Sequence, residues 1–208
     1  MPARSYHEAI WEQIEPGREP SDEGLRLDFL LAEVPPGARV LDVGSGEGRF
    51  AAALLEAGAS VLAADVAEEP LRRARRVRPE LETWLLPAEA DWGLADASFD
   101  VVWAGEVIEH VADTAGWLSE ARRVLRPGGS LLLTTPDHGP LTRLRMGLSA
   151  RAFAAQLDPL SEHLRLYTRA ELLSLLARFG FAEIRVRGAG GLPGARRVLL
   201  ARAVRGRW

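Results

Sequence analysis

Between residues 39 and 136 the sequence alternates strand-like and helix-like stretches, and no other feature of the chain narrows the fold so far. "ARVLDVG" (38–44) reads as a buried strand and "GRFAAALLEAG" (48–58) as a helix closed by Gly58. "SVLAADV" (60–66) is a second strand and "EEPLRRARRV" (68–77) a second helix, whose arginine-rich face is expected to be solvated. "ETWLLPA" (82–88) and "FDVVWAG" (99–105) follow as strands, then the helix "DTAGWLSEARRVL" (113–125), the turn "RPGG" (126–129) and the strand "SLLLTTP" (130–136). Nearly continuous apolar strands separated by helices form a parallel sheet covered on both faces.

The flanks complete the expectation. Residues 4–15 carry Tyr6, Ile10 and Ile14 at helical spacing, and "EPGREP" breaks that helix. A further helix starts near Ser21 as N-cap, with Asp22 and Glu23 in its first turn, and runs through "LRLDFLLAEV" to "PPG". After a helix from Thr168 to about Phe179, "FAEIRVRG" and "RRVLLARAVR" are strands separated only by "AGGLPGA", so they pair antiparallel. The fold class expected is therefore α/β, a three-layer sandwich around a seven-stranded, mostly parallel sheet ending in an antiparallel hairpin. Residues 1–208 read as one domain, with 1–20 and 137–165 expected to cover the open end of the sheet.

Gly44, Gly46 and Gly48 fall at alternate positions where the first strand meets its helix. Glycine loses more backbone entropy on folding than other residues, so the chain turns there as side chains forbid or something approaches the backbone closely. Such a loop brings N–H groups and a positive helix end to the carboxyl edge of a parallel sheet. Dinucleotide sites there carry G-x-G-x-x-G for a pyrophosphate. The spacing here is G-x-G-x-G with Glu47 inside the loop, and a carboxylate repels pyrophosphate. A cationic or zwitterionic ligand fits better. Asp65 closes the second strand about 20 residues on, where a carboxylate grips ribose hydroxyls or caps the next helix.

The run Asp42-Val43-Gly44-Ser45-Gly46-Glu47-Gly48 resembles the first motif of class I S-adenosylmethionine-dependent methyltransferases. Asp65 after "VLAA", "ASFDVVWAGEVIEHV", "EARRVLRPGGSLLLTTP", "EHLRLYTRAELLSLLARFGF" and the terminal hairpin agree in order and spacing, over residues 21–204. Within that class "EVIEHV" and "GLRLDFLL" most resemble the small-molecule O-methyltransferases of quinone biosynthesis. The resemblance implies a Rossmann-like fold, S-adenosylmethionine as cofactor and a small-molecule methyl acceptor. It implies that Gly44, Ser45 and Gly46 meet the methionine part of the cofactor, and that Asp42 orients its ammonium or braces the loop. Asp65 would hold the ribose and Val66 the adenine. At the position of the family's adenine-binding acid stands Ala88 with Glu89 beside it, leaving Glu89 or backbone groups alone to read the adenine. Arg26 falls where the family places an arginine near the cofactor carboxylate, the alternative being a solvated helix arginine. Gly105 and Glu106 would line the methionine end and the substrate entrance.

Methyl transfer is an in-line displacement in which positioning supplies much of the acceleration, and an oxygen acceptor must also lose its proton. Histidine suits that task near neutral pH. His138, leaving the fifth strand in "TTPDHG", is the candidate base, ahead of His110 and His163. Trp11, Trp92 and Trp103 are open to core or ligand-contact roles. Glu106, Glu109, His110 and His163 resemble the metal set of the small-RNA 3′-terminal 2′-O-methyltransferases. The same hexapeptide is widespread among quinone-type enzymes, so no tightly bound metal is expected.

Composition bounds the rest. The net charge of −3 argues against nucleic acid as partner. With no cysteine, thiolate metal sites and disulfides are excluded. "MPARSYHEAIWEQ" lacks the apolar core of a signal peptide and no run is long enough to span a membrane, so a cytoplasmic protein is expected. A nicotinamide dehydrogenase, a non-catalytic S-adenosylmethionine-binding protein and a metal-dependent RNA 2′-O-methyltransferase are the rival readings.

Overall fold

A computed structural model describes residues 3–87, 91–154 and 163–206, with side chains from Tyr6 onward. Seven strands form one sheet: β1 (Arg39–Val43), β2 (Ser60–Asp65), β3 (Glu82–Leu85), β4 (Phe99–Gly105), β5 (Leu125–Pro136), β6 (Phe181–Ala189) and β7 (Val198–Arg205). Their spatial order is β3-β2-β1-β4-β5-β7-β6. The first five run parallel, while β7 pairs antiparallel with both β5 and β6. The order reverses between β1 and β4. Their carboxyl ends therefore diverge into a crevice, the place where open α/β sheets bind ligands.

Alternation along each strand feeds two cores. Leu41, Val43, Val102, Ala104, Leu131 and Leu133 point to one face, with α5 (Thr114–Val124) and α8 (Arg169–Arg178). Val40, Val101, Trp103 and Leu132 point to the other, with α2 (Glu23–Glu33), α3 (Arg49–Glu56) and α4 (Glu68–Val77). Burial on both faces is why these strands read as nearly unbroken apolar runs. The result is the expected Rossmann-like three-layer sandwich with a C-terminal antiparallel hairpin. Helix boundaries follow local chemistry. Thr168 and Glu171 form a reciprocal capping box at the start of α8, and the Asp113 side chain accepts from Gly116 N at 3.0 Å to start α5.

Two boundaries differ from expectation. Asp22, not Ser21, stands at the N-cap of α2, at φ +49° and without a capping bond from its side chain. Its carboxylate instead accepts from the Arg197 Nε at 3.0 Å, a charge-assisted bond stronger than a backbone cap. The stretch "RPGG" is not a turn before β5 but part of it. Leu125 already pairs with Phe99, and an irregularity at Gly128 (φ +82°) absorbs the extra residues before Ser130 pairs with Val101.

Beyond β5 come α6 (Pro140–Leu148) and α7 (Ala150–Ala154), with Asp137 bridged to Tyr167. At the other end α1 (Ala3–Gln13) lies against α4. Among the described residues no helix is long and apolar enough to cross a membrane.

Candidate active site

The glycine loop at the carboxyl end of β1 is left-handed at Gly44 (φ +70°), Gly46 (+54°) and Gly48 (+76°), which explains the residue type at all three. Its amides are already engaged. Gly44 N and Ser45 N donate to Ala64 O at 2.7 and 3.0 Å, and Gly46 N donates to Asp65 Oδ2 at 3.0 Å. A loop that has committed these donors to β2 offers little to a pyrophosphate. A Cβ on Gly44 would come within 2.5 Å of Val107, and one on Gly46 within 2.9 Å of the Trp11 ring. These neighbours, as well as the backbone torsions, hold both positions to glycine.

Asp65 is buried, and its Oδ1 also accepts from Ala67 N at 3.0 Å. It therefore clasps the loop and turns the chain into α4. A carboxylate has about four acceptor positions, so capacity for hydroxyl donors is left. Burial raises its pKa, opposed by the bonds from Ala67 and Gly46. Asp42 lies 1% exposed, and its carboxylate accepts from Ala51 N in the first turn of α3, while Oδ2 has no hydrogen-bond partner. Burial, reinforced by the Asp65 charge, raises its pKa to about 7.

Arg26 of α2 is not a solvated helix arginine. It is 3% exposed, stacks over Phe50 at 4.7 Å and donates from Nη1 to Ser21 O at 3.3 Å, leaving Nε without a hydrogen-bond partner. Burial lowers its pKa, and Glu106, Glu109, Asp42 and Asp22 oppose that shift through their charges. Gly105 makes room for it, since a Cβ there would collide with its guanidinium and the Trp103 ring.

Glu106, just past β4, holds φ +57°, which a non-glycine residue adopts only where the surroundings enforce it. Its N–H donates to Thr134 O at 3.0 Å, and its Oε1 has no hydrogen-bond partner. Burial raises its pKa against the pull of Arg26. Glu109 is 1% exposed, accepts from Thr135 Oγ1 at 2.9 Å and leaves Oε1 without a hydrogen-bond partner. Burial first, then Glu106, raise its pKa to about 8. With the buried Ser45 Oγ, these groups make one guanidinium, three carboxylates and a hydroxyl, each with a polar atom unsatisfied and buried. Native interiors satisfy such atoms, so a cluster of exceptions at a sheet's carboxyl edge marks a ligand site.

The other candidates separate. Gly105, paired with Thr134, lies on the same edge, and Val66 is half-buried at the end of β2. His138 is buried beyond the carboxyl end of β5, its backbone N–H donating to Tyr167 O at 3.0 Å, with Asp137 next to it within electrostatic reach. Ala88 and Glu89 lie outside the described residues. Trp92 and Trp103 are core residues, Trp103 between Phe29 and Phe50 and Trp92 edge-on to Trp117. Ligand atoms of Glu109, His110 and His163 lie within 4.8 Å of one another, and Glu106 is not in that group.

Three contributions escaped the sequence. The sequence marks Glu109 only as a metal candidate sharing a turn with Glu106; its burial, which makes it part of the ligand-facing group, is not visible there. The arginine face of α4 is not simply solvated. Arg73 is 12% exposed and bonds Glu69 at 2.7 Å and Glu47 at 3.0 Å, of which the i,i+4 pair with Glu69 was a readable signal. Glu47 is consequently neutralised by Arg73 and accepts from Gly17 N at 2.7 Å, so it is not the loop's free anion.

Comparison with known proteins bears on the family and the fold. Residues 14–186 match the family described as "Methyltransferase domain". The ubiquinone biosynthesis O-methyltransferase of Xanthomonas campestris pv. campestris is 30% identical over 178 residues, 81% of this chain and 72% of that protein. The biotin biosynthesis bifunctional protein BioHC of Cellvibrio japonicus is 35% identical over 119 residues, 57% of this chain but only 24% of that longer protein. The S-adenosylmethionine-dependent methyltransferase from Mesorhizobium loti superposes with a TM-score of 0.66 at 24% identity, over 85% of this chain and 96% of that one. A doubly covered sheet, a glycine loop at its switch point and a match to most of the chain lead to one conclusion: this protein belongs to the methyltransferase domain family.

Proposed function

We propose that this protein binds S-adenosylmethionine and transfers its methyl group to an oxygen of a small molecule. The observation that carries the reading is the buried group of Arg26, Asp42, Ser45, Glu106 and Glu109, with one unsatisfied atom on each. A ligand that bears a carboxylate and an ammonium, with a sulfonium between them and the nucleoside, meets both signs of charge in that group. The cofactor supplies a methyl group on positively charged sulfur, a good leaving group. Arg26 holds the carboxylate, with Asp42 and Glu106 on the cationic side. Gly44, Ser45, Gly46 and Gly105 let the backbone lie close, Asp65 accepts from the ribose, and Val66 packs on the adenine. Ala88 and Glu89 are the candidates for the adenine amine. His138, beside Asp137 at the same sheet edge, takes the acceptor's proton. Residues 1–20 and 137–165 are the covering segments of this reading; residues 1–2 and 155–162 lie outside the described residues, and the approach of Trp11 to the glycine loop supports the role of the first segment. Oxygen as acceptor is supported by the Xanthomonas relative.

Calorimetry with S-adenosylmethionine, S-adenosylhomocysteine and NAD, followed by methyl transfer to hydroxylated aromatic acceptors, tests the reading. Binding of the first two and not of NAD is expected. NAD binding without S-adenosylmethionine binding overturns it.

One observation favours a second reading, metal-dependent methylation of a ribose hydroxyl in RNA: the proximity of Glu109, His110 and His163. A carboxylate with two imidazoles suits a divalent transition metal. We expect no tightly held metal, since Thr135 already occupies one Glu109 oxygen and the net charge of −3 gives RNA little to hold. Elemental analysis, with activity measured before and after chelation, decides between the two. Stoichiometric metal, or activity lost to a chelator and restored by manganese, promotes the RNA reading.

A further inference from the structure

We propose that α1 is a reversible strap, latched over the glycine loop by Glu8 and Arg73, that swings aside for the cofactor to enter and its product to leave. This rests on the cofactor reading above.

Neither core holds α1 down. None of its described residues belongs to either core cluster, and none is fully buried. At 11 residues it is shorter than the roughly 12–15 that an isolated helix needs to persist in water. Beyond the half-buried Ile10 and Trp11, its attachment is a set of polar contacts. The Glu8 carboxylate accepts from Glu68 N at 2.8 Å and Glu69 N at 3.0 Å, covering the start of α4. Arg73 donates to Trp11 O and Ile14 O at 2.9 Å each, closing the carboxyl end of α1. Water replaces such bonds at little net cost, whereas it cannot replace a packed core.

In this position α1 covers the nucleoside end of the site. The Trp11 ring lies against Gly46, and His7 is within electrostatic reach of Asp65. Asp65, the carboxylate assigned to the ribose, is only 5% exposed with α1 in place. A ligand of nucleoside size reaches it when α1 has moved.

The strap is also joined to the glycine loop itself. Glu47, inside the glycine loop, bonds Arg73 and also accepts from Gly17 N, while Arg49 at the start of α3 donates to Gly17 O at 3.1 Å. Gly17 follows Pro16 at φ +79°, and nothing lies within 4 Å of where its Cβ would be. A glycine in open space beside the last latch is a hinge, and turning there leaves the sheet untouched. One guanidinium thus connects loop, α4 and strap, so a ligand that orders the loop also favours closure.

Amide hydrogen exchange of the full chain, with and without S-adenosylhomocysteine, tests this beside calorimetry on the same samples. The ligand should slow exchange across residues 6–17 by about tenfold or more. Arg73→Met and, independently, Glu8→Ala should speed exchange there and raise the S-adenosylhomocysteine dissociation rate about tenfold, the equivalent of one lost charge-assisted bond. Amides of β1 and β4 should keep their protection in both variants. Binding by calorimetry with unchanged exchange in residues 6–17, or unchanged dissociation rates in both variants, overturns the strap and leaves the cofactor reading standing. No binding at all removes both.

Discussion

Replacing Glu109 with glutamine should flatten the pH dependence of the ligand-free protein's stability. The side chain is 1% exposed, one oxygen accepts from Thr135 and the other has no hydrogen-bond partner. Burial and the Glu106 charge raise its pKa from 4.5 to about 8. A carboxyl that binds its proton more tightly folded than unfolded opposes folding once the unfolded chain ionises. Below about pH 4 both states are protonated and the residue is neutral toward stability. As pH rises the unfolded state gains, until the loss levels off above the folded value. At pH 7, roughly 2.5 pH units above the ordinary value at about 1.4 kcal/mol each, the loss is about 3 kcal/mol. Asp42, raised to about 7, adds a loss of the same sign. Glutamine keeps an acceptor for Thr135 and has no proton to release. Urea unfolding between pH 5 and 8, at constant m, reads the effect. The wild type should lose several kcal/mol across that range, and Glu109→Gln about 3 kcal/mol less. Parallel curves for the two proteins would show that Glu109 does not carry a raised pKa. Since Glu106 and Glu109 interact, the proton belongs to the pair, and a cationic ligand should expel it. Binding heats in buffers of different ionisation enthalpy should therefore differ.

Asp65→Ala should weaken cofactor binding by about 1.5–3 kcal/mol per lost bond, and also cost stability by stranding the N–H groups of Gly46 and Ala67. Calorimetry with unaltered affinity would reduce Asp65 to a loop clasp. Gly46→Ala, at φ +54° and 2.9 Å from Trp11, should destabilise the fold by about 1–2 kcal/mol and shift tryptophan emission. Unchanged melting and emission would contradict the close approach. His138→Gln should lower kcat by about 10²–10⁴ with cofactor affinity retained, and a variant of full kcat would dismiss the base.

What was legible in the sequence was whatever local pattern determines. The helix "EEPLRRARRV" coincides with α4 to the residue, because its buried Pro70, Leu71 and Ala74 and its flanking breaks are all local. The glycine loop and Asp65 were readable from residue type and spacing, whereas Arg26 stood out only through the family resemblance, since arginine is common on the helices of this chain. Asp22 was misplaced because its partner, Arg197, lies 175 residues away. The same holds for Arg73 and Glu47: their bonds to Ile14, Trp11 and Gly17 depend on how α1 folds back, which no periodicity encodes. Glu109 was hidden for a different reason. Its raised pKa comes from burial and from Glu106, and a hexapeptide displays neither.

The strand order β5-β7-β6 carries a consequence for how the chain reaches this state. The sheet partner of β6 is β7, and β7 in turn fills the gap beside β5. β6 and β7 are neighbours in sequence and pair as a hairpin, so what joins that hairpin to the rest of the sheet is the β5–β7 ladder alone. Without that ladder the edges of β5 and β7 stand open at once, each a template for pairing with another chain. It sets Leu199, Leu200 and Ala201 opposite Thr135, Thr134 and Leu133, across a stretch of chain that holds α6, α7, α8 and β6. Shortening or charging residues 198–205 is therefore expected to leave both edges exposed for longer and to favour aggregation.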